Sequence, residues 1–409
     1  MCNIAVISVH TSPLARPGTR DSGGMNVYIR ELSREMGRRA HTMDIFTRRV
    51  DRDTPQVTVI DERTRVIQIE AGEPEAAKGA VVGHLPQFCD GVLDFQRVDG
   101  RTYDLVHSHY WLSGAVGRVL KAEWDVPHVV MFHTLGEAKN RHHINEREPA
   151  HRIQGEREVA RATDRVICAS EGEKEMLVSL YGVPSHRISV VPCGVDTERF
   201  RPMSRSRVRR TLGLAADEPI VLFVGRIERL KGIDVLLRAA AQMQDTFRLL
   251  VVGGDEKDAA RKRELTALAR DLGIGEKVSF LDAVPHDRLA HYYNAADICV
   301  VPSYYESFGL VALEAMACGV PVIASRVGGL KETVQDGRTG YLVPWHCPEP
   351  FAERLELLLS NESLRRSLGR EARAAAERFR WSNVAARVEL IYHDLVSQNR
   401  GVIVGAHVA

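Results

Sequence analysis

The sequence predicts an α/β protein with two doubly wound parallel sheets. Short apolar runs that are typical of buried strands alternate with helical patterns along nearly the whole chain. The alternation occurs once before a polar stretch near residues 200–210 and once after it, which indicates two similar units. A chain of 409 residues is also too long to fold around one hydrophobic core of ordinary size. We therefore predict domains at 1–200 and 201–381, followed by a last helix within 382–409.

The composition is that of an ordinary globular enzyme. Charged residues make up 27% of the chain, hydrophobic residues 44%, and the formal net charge is +1, which argues against nucleic acid or a membrane surface as the main partner. No apolar run approaches the ~20 residues of a membrane span, and the run at 4–9 lacks the basic leader of a signal peptide. Seven cysteines occur singly, without a CxxC pair. We expect reduced thiols and a cytoplasmic location.

The first unit opens with a strand at 3–9, a long polar loop that closes on Gly23 and Gly24, and a helix at 25–38. Two glycines at a helix start allow close approach of a ligand, and the free N–H groups there favour an anion. A plain turn is the alternative. Further strands of this unit are predicted at 42–46, 65–69, 105–108, 128–132, 165–168 and 188–191.

Polar groups follow two of these strands directly. His107 to Tyr110 end one strand, and His133 to Leu135 follow the next. Because ligands of doubly wound sheets bind beyond the carboxyl ends of the strands, both groups are candidates for a site. The strongly charged segment 137–161 is expected to form an exposed helix pair along the same rim.

The second unit repeats the alternation. Its helices are predicted at 350–358 and 361–378, and Ser382 is expected to cap a last helix that runs to about residue 396. The strands are predicted at 220–224, 248–252, 277–280, 298–301, 321–324 and 340–343.

Two loops of the second unit carry charges that suit a nucleotide. Glu306 follows the strand at 298–301, and Glu314 lies eight residues later in the next helix, so the two acids flank a helix N-terminus. The N–H groups near Ser307 to Gly309 suit a phosphate, which leaves the acids for hydroxyl groups. Arg226 and Lys231 stand five residues apart after the strand at 220–224 and form a candidate anion clamp.

Other kinds of site find weaker support. Asp51 and Asp53 spell DxD, a metal-diphosphate pattern, but no strand leads into it. His107 with His109, and His142 with His143, lack the i, i+4 spacing and the third donor of a metal site. The chain contains no GxSxG, no GxxxxGK[ST] and no HExxH, so hydrolase and kinase functions are not indicated. The chain also lacks the GxGxxG motif of a dehydrogenase, whereas a ligand-binding protein without catalysis stays open.

Taken together, these motifs resemble one enzyme family. Four motifs carry the resemblance: Glu306-Ser-Phe-Gly with Glu314, Gly225-Arg226 with Lys231-Gly232, Gly23-Gly24, and the run 322–329. They are similar to motifs of the retaining nucleotide-sugar glycosyltransferases of family 4, which have the GT-B fold. The resemblance covers essentially the whole chain. It implies two Rossmann-like domains that face each other across a cleft, no metal and no cofactor, and a last helix that packs back on the first domain.

The resemblance also implies roles for individual residues. Catalytic positions would be His133, Glu306, Arg226 and Lys231, with the two cations on the donor diphosphate and Glu306 on the transferred sugar. Glu314 would bind the ribose. The remaining donor-binding positions would be Gly24, Ser307, Phe308, Gly309 and Leu310.

The first domain is similar to the branch of this family that transfers N-acetylglucosamine from UDP-GlcNAc to 1D-myo-inositol 3-phosphate. The similarity rests on the stretches 10–28, 104–114 and 133–140. It implies an acceptor site formed by Asn26, Lys78, Tyr110, Thr134 and Arg152. Gly136 and the stretch 192–196 are more similar to the sucrose-phosphate synthase branch, which transfers glucose to fructose 6-phosphate. Both acceptors stay open, the partners are small molecules, and a homodimer is compatible with the sequence.

Overall fold

The computed structural model describes residues 1–15, 23–51, 53–74, 79–141 and 147–401. It contains two sheets, and every strand predicted above is present within a few residues of its expected bounds. The strands are β1 Asn3–Ser8, β2 Thr42–Arg48, β3 Val57–Asp61, β4 Thr64–Ile69, β5 Leu105–His109, β6 His128–Met131, β7 Arg165–Cys168, β8 Ile188–Val190, β9 Ile220–Val224, β10 Arg248–Val252, β11 Val278–Leu281, β12 Ile298–Val301, β13 Val322–Ser325 and β14 Gly340–Val343.

Helices connect most of these strands, as parallel pairing requires. They are α1 Gly24–Arg38, α2 Leu85–Asp99, α3 Trp111–Trp124, α4 Gly136–Arg141, α5 Ala150–Ala162, α6 Glu171–Tyr181, α7 Arg205–Thr211, α8 Ile233–Gln242, α9 Ala259–Asp271, α10 His286–Ala295, α11 Leu310–Ala317, α12 Leu330–Thr333, α13 Pro348–Ser360, α14 Glu362–Ala376 and α15 Trp381–Asn399.

The first sheet has the strand order β3-β4-β2-β1-β5-β6-β7-β8. All pairs are parallel except β3 with β4, which form an antiparallel hairpin at the edge. The prediction of an all-parallel unit was therefore incomplete, and β3 was missed. Its residues are half-buried or exposed, so it lacks the continuous apolar run that marks a buried strand.

The second sheet has the order β11-β10-β9-β12-β13-β14, and every pair is parallel. In both sheets the order reverses next to the first strand, between β1 and β5 and between β9 and β12. Loops that leave the carboxyl ends of such neighbours diverge and open a crevice. The loops after β1, β5, β9 and β12 carry several of the candidate residues, and His133 and Thr134 follow the next strand, β6.

The long helix α15 returns to the first domain. It begins at Trp381, with Arg380 at its N-cap, so the prediction that Ser382 caps this helix was wrong. Glu389 accepts hydrogen bonds from Arg39 at 2.8 and 2.6 Å. The apolar face of α15 joins a core cluster that extends from the first sheet into the second unit. A second cluster fills the first unit and also takes in Leu230 and Tyr305, whereas a third lies within the second unit. Within the described residues, no helix combines the length and apolar composition that a membrane crossing requires.

The connection between the two units packs directly on the start of α15. Val195 donates its N–H to the carbonyl of Phe379 at 2.7 Å. A Cβ at Gly194 would lie 2.4 Å from Cδ2 of Trp381, and Trp381 in turn packs edge-on against Tyr28, with ring centroids 5.5 Å apart. No side chain larger than a hydrogen fits at residue 194 without moving the indole.

Replacing Gly194 by alanine should therefore destabilise the protein by about 1–3 kcal/mol through overpacking. Urea unfolding measures the change. The control is Gly172→Ala in α6, because a Cβ there meets nothing within 4 Å and alanine is the better helix former. Equal unfolding midpoints for the two variants would contradict the packing that we describe.

Candidate functional site

The predicted donor residues Arg226, Lys231 and Glu306 lie on the loops after β9 and β12. Lys231 Nζ donates to Glu306 Oε2 at 2.7 Å, and both side chains are about four-fifths buried. Gly309, with φ of 92°, precedes α11, which begins at Leu310 rather than at Ser307. The first backbone N–H that closes a turn of this helix is that of Leu313, bonded to the Gly309 carbonyl at 3.2 Å. The helix-start donors are thus those of residues 309–312, so Gly309 of the predicted set belongs to them, whereas Ser307 and Phe308 precede the helix.

Glu314 and Arg226 lie in different electrostatic surroundings. Glu314 is buried and accepts hydrogen bonds from Tyr293 at 2.8 Å, while its other oxygen lies 2.7 Å from His286 Nε2. Arg226 is more exposed and pairs with Glu228 at 2.9 Å. Both carboxylate oxygens of Glu314 are held in place, so this acid can accept further hydrogen bonds without rotating.

The two domains touch across the cleft at this point. Ser307 Oγ donates to the carbonyl oxygen of His133 at 2.5 Å. A Cβ at Gly24 would lie 3.0 Å from Cδ1 of Leu310, and one at Gly23 would lie 3.9 Å from Nε of Arg226. The glycines at the start of α1 therefore allow the first domain to approach the loops after β9 and β12 closely, while a contact of Gly24 with the donor stays a prediction.

Three predicted acceptor residues converge at the carboxyl end of the first sheet. Arg152 on α5 is buried and donates through Nη2 to the carbonyl and to Oγ1 of Thr134, both at 3.2 Å. Its guanidinium carbon lies 5.1 Å from the ring centroid of Tyr110. The charged segment that contains Arg152 is thus only partly exposed, contrary to expectation.

Two carboxylates in this cluster were not identified from the sequence. Glu156 accepts from Arg152 Nε at 2.8 Å and from Tyr181 at 2.5 Å. It also accepts from the N–H of Gly136 at 3.0 Å. Glu148 accepts from Arg152 Nη1 at 2.8 Å. Burial opposes ionisation of Glu148, but Arg152 and a lysine outweigh it and lower the pKa of this acid. The i, i+4 spacing of both acids to Arg152 was the available signal.

Of the other two predicted acceptor residues, Asn26 lies within the described part of the chain and Lys78 does not. Asn26 is buried and its amide is used within the chain: Nδ2 donates to Thr11 Oγ1 at 2.7 Å and to the Ser12 carbonyl at 2.5 Å, and Oδ1 accepts from Gly23. It closes the first loop on itself. Lys78 lies outside the described residues, as do His142 and His143. A contact of Asn26 or Lys78 with the acceptor stays a prediction.

His133 adopts a conformation that is uncommon for a side-chain-bearing residue. Its φ is 61°, in the left-handed region, and Nε2 lies 2.9 Å from Nδ1 of His109. Burial lowers the pKa of His133 to about 3. A neutral imidazole is therefore expected beside the donor loops at neutral pH.

Comparison with known families now identifies the chain. A family model described as Glycosyltransferase Family 4 matches residues 22–199, and one described as Glycosyl transferases group 1 matches residues 204–375. The chain belongs to glycosyltransferase family 4. Its two-sheet architecture is the GT-B fold, and the predicted enzyme class, a retaining hexosyltransferase that uses a nucleotide-sugar donor, is confirmed.

The transferase is similar over most of its length to several individual proteins. It is 44% identical to a D-inositol 3-phosphate glycosyltransferase from Acidothermus cellulolyticus over 97% of this chain and 91% of that one. A protein of the same name from Rhodococcus opacus is 45% identical, over 93% and 88% of the two chains. Among solved structures, sucrose-phosphate synthase from Thermosynechococcus elongatus matches with a TM-score of 0.91 and 36% identity over 97% and 100%. HepE from Anabaena, at 19% identity and a TM-score of 0.77, covers 97% and 100% and shows the shared fold.

The transferase should lose stability in mild acid because its buried histidines stay neutral. Burial holds the pKa of His107, His128 and His133 at about 3 and that of His109 well below its usual value. The unfolded chain takes up protons near pH 6.5 and the native state does not, so each histidine removes up to about 1.4 kcal/mol per pH unit below 6.5. Burial raises the pKa of Glu173 to about 7. This single group takes up its proton more readily in the native state and therefore offsets part of the loss of stability in acid.

Urea unfolding between pH 7.5 and 4.5 should show this fall. In His128→Gln the hydrogen bond that now joins Nε2 of this residue to Ser108 Oγ at 2.9 Å can be retained, but one titrating group is lost. The variant should have the shallower pH dependence. Identical slopes for the variant and the wild type would contradict a neutral buried His128.

Proposed function

We propose that the transferase moves N-acetylglucosamine from UDP-GlcNAc to 1D-myo-inositol 3-phosphate. The convergence of Tyr110, Thr134 and Arg152 at the carboxyl end of the first sheet carries the proposal. Two hydroxyl groups and one guanidinium form a suitable set of donors for a phosphate dianion. Relatives at 44–45% identity bear the name of an enzyme for this acceptor.

The charges around Arg152 suggest how an acceptor phosphate would enter. Glu148 and Glu156 both hold this guanidinium, but Glu156 is fully buried and also bonds Tyr181 and Gly136, whereas Glu148 is partly exposed. A phosphate would displace Glu148 and leave Glu156 in place. The exchange keeps a buried positive charge paired throughout, which avoids the cost of an isolated charge.

Across the cleft, Lys231 and Arg226 would bind the donor diphosphate, with Glu306 on the sugar and Glu314 on the ribose. The acceptor hydroxyl attacks the anomeric carbon on the face from which the diphosphate departs. The bond from that carbon to the diphosphate breaks, the bond to the acceptor oxygen forms, and the leaving phosphate takes the hydroxyl proton. Positive charge near the departing diphosphate lowers the barrier, and neither a side-chain nucleophile nor a metal is required.

A sucrose-phosphate-synthase-like reaction is the second candidate. Sucrose-phosphate synthase matches this chain at a TM-score of 0.91, and its name denotes a phosphorylated sugar product. Gly136 is among the residues that resemble that branch, and here its N–H lies against Glu156. Glucose as donor sugar and fructose 6-phosphate as acceptor would follow from this alternative.

A substrate panel separates the two candidates. The purified enzyme is incubated with UDP-GlcNAc or UDP-glucose and with inositol 3-phosphate, inositol or fructose 6-phosphate, and the products are identified by mass spectrometry. We expect transfer of N-acetylglucosamine to inositol 3-phosphate, with kcat/KM at least about tenfold lower for inositol, because the phosphate contacts are lost. Equal rates with both inositols would refute the acceptor assignment, and a hexose-fructose phosphate product would favour the alternative.

Arg152→Lys tests the phosphate contact directly. Lysine keeps the charge but loses the planar set of N–H donors, so KM for inositol 3-phosphate should rise at least about tenfold with donor KM little changed. Arg157→Lys is the matched control on α5, since that residue is more exposed and pairs with Glu137 at 3.1 Å. A rise in acceptor KM of similar size in both variants would contradict a specific role for Arg152.

A further inference from the structure

Three side chains form a hydrogen-bonded row that ends at Glu314. Arg199 lies in the connection between β8 and α7, and its Nη1 is 3.1 Å from Nδ1 of His286. His286 is the first residue of α10, and its Nε2 is 2.7 Å from Oε1 of Glu314 on α11. The row therefore joins the connection between the two domains to the acid for which a ribose contact is predicted.

The imidazole of His286 is held in one orientation. Its side chain is 9% exposed and that of Glu314 is 7% exposed. Phe200 packs edge-on against the imidazole, with ring centroids 5.2 Å apart. If the ring were turned over, a ring carbon would face Glu314, but the observed 2.7 Å is far shorter than the ~3.3 Å of a carbon–oxygen contact. The atom that faces the carboxylate is therefore a nitrogen.

The chemistry of the two neighbours decides which ring nitrogen carries the hydrogen. An arginine guanidinium has only N–H donors, so Nδ1 of His286, which faces Arg199, must accept. An ionised carboxylate only accepts, so Nε2, which faces Glu314, must donate. Both neighbours select the same form of the ring, with its hydrogen on Nε2. The hydrogen bonds of the row thus run from Arg199 to His286 and from His286 to Glu314.

This arrangement leaves Glu314 ready to bind two hydroxyl groups. Its other oxygen accepts from the hydroxyl of Tyr293 at 2.8 Å, so each carboxylate oxygen receives one hydrogen bond from the protein. A carboxylate oxygen has two lone pairs, which leaves one on each oxygen for a ligand. The two neighbouring hydroxyls of a ribose match this pair of acceptors. Because the carboxylate is already oriented, binding does not have to order it.

Arg199 is itself anchored on both sides. Its Nη1 lies 3.5 Å from Oε1 of Glu31 on α1, and its Nη2 lies 3.4 Å from Oδ2 of Asp196. Arg373 on α14 donates to the carbonyl of Phe200 at 2.9 Å, which holds the backbone next to Arg199. The guanidinium therefore has acidic partners on the first domain and in the connection, while it keeps an N–H for the imidazole.

We propose that Arg199 and His286 are positioning residues for nucleotide binding: Arg199 holds His286 with its hydrogen on Nε2, and His286 orients Glu314 to accept both ribose hydroxyls of the donor. The inference rests on the proposed function for the contact between Glu314 and the ribose. The pair then affects a nucleotide only through its ribose hydroxyls.

Isothermal titration calorimetry with UDP and with dideoxy-UDP, which lacks both ribose hydroxyls, tests the role of His286. We expect the wild type to bind UDP at least about tenfold more tightly than dideoxy-UDP. In His286→Leu this preference should fall at least about fivefold, with the affinity for dideoxy-UDP unchanged within about twofold, because Glu314 is no longer oriented. His286→Gln should retain the preference, since its amide nitrogen can donate from near the position of Nε2.

Two results of the titration would overturn the proposal. One is the absence of a preference for UDP in the wild type. The other is an equal loss of affinity for both nucleotides in H286L, which would indicate a general structural role. Should H286L not fold, His286→Asn replaces it, because the amide of asparagine ends near the position of Nδ1 and does not reach Glu314.

Arg199→Met tests the next member of the row. The variant keeps an unbranched side chain but loses the donor to Nδ1, so the preference for UDP should fall about threefold. The double variant R199M/H286L should retain the preference of H286L, because Arg199 acts through His286. Arg201→Met is the control, since that side chain is exposed and forms no hydrogen bond or ion pair within the described residues. An equal fall in R201M, or losses that multiply in the double variant, would contradict the role of Arg199.

The form of His286 can also be measured without any substrate. Nitrogen-15 NMR of the histidine-labelled enzyme should show the ring hydrogen on Nε2, and H286Q assigns the signal. A hydrogen on Nδ1 would overturn the proposal. If the wild type prefers UDP but transfers a sugar to none of the acceptors, the proposed function fails, while the titrations still decide the positioning role.

Discussion

The parallel register of the two sheets is the constraint on which the rest of the structure depends. Parallel strands end at one edge, and the reversal of strand order beside β1 and beside β9 makes the flanking loops diverge there. Residues far apart in sequence, such as His133 and Ser307, come within hydrogen-bond distance at these two edges. A change that shifted one central strand would displace one half of the site relative to the other.

A second general feature is that the charges of the candidate site are paired within the protein. Lys231 bonds Glu306, and Arg152 is held by two glutamates. Isolated buried charges are costly, so under the proposed function a substrate phosphate or hydroxyl would replace one partner of a pair instead of meeting an unpaired group. In this view the less buried partner, Glu148 in the acceptor cluster, is the one that is exchanged. The same principle explains why the buried histidines of the first domain are neutral.

The sequence predicted most of the fold because buried parallel strands are continuous apolar runs with helices between them. It missed β3, whose residues are not buried, and it misplaced the cap of α15, where Arg380 precedes the helix without a capping side chain. Glu306 and Glu314 could be singled out as candidate donor residues since they lie within one strand-loop-helix unit. Glu148 and Glu156 were overlooked because helical spacing alone does not distinguish an acid beside a buried arginine from one on a solvated face.

The sequence by itself determined the α/β architecture, the two nucleotide-binding-like halves and the charged loops after the strands, since these depend on local patterns of apolar, glycine and charged residues. Only the tertiary structure decided which of these groups meet: Arg152 with Thr134 and Tyr110, Ser307 with His133, and His109 with His133. The stretch 299–319, in which the sequence predicts an anion site flanked by two acids, lies on one side of a cleft whose opposite side is formed by the first domain. The physical reason is that contacts between distant loops follow from strand order and register, which no local pattern encodes.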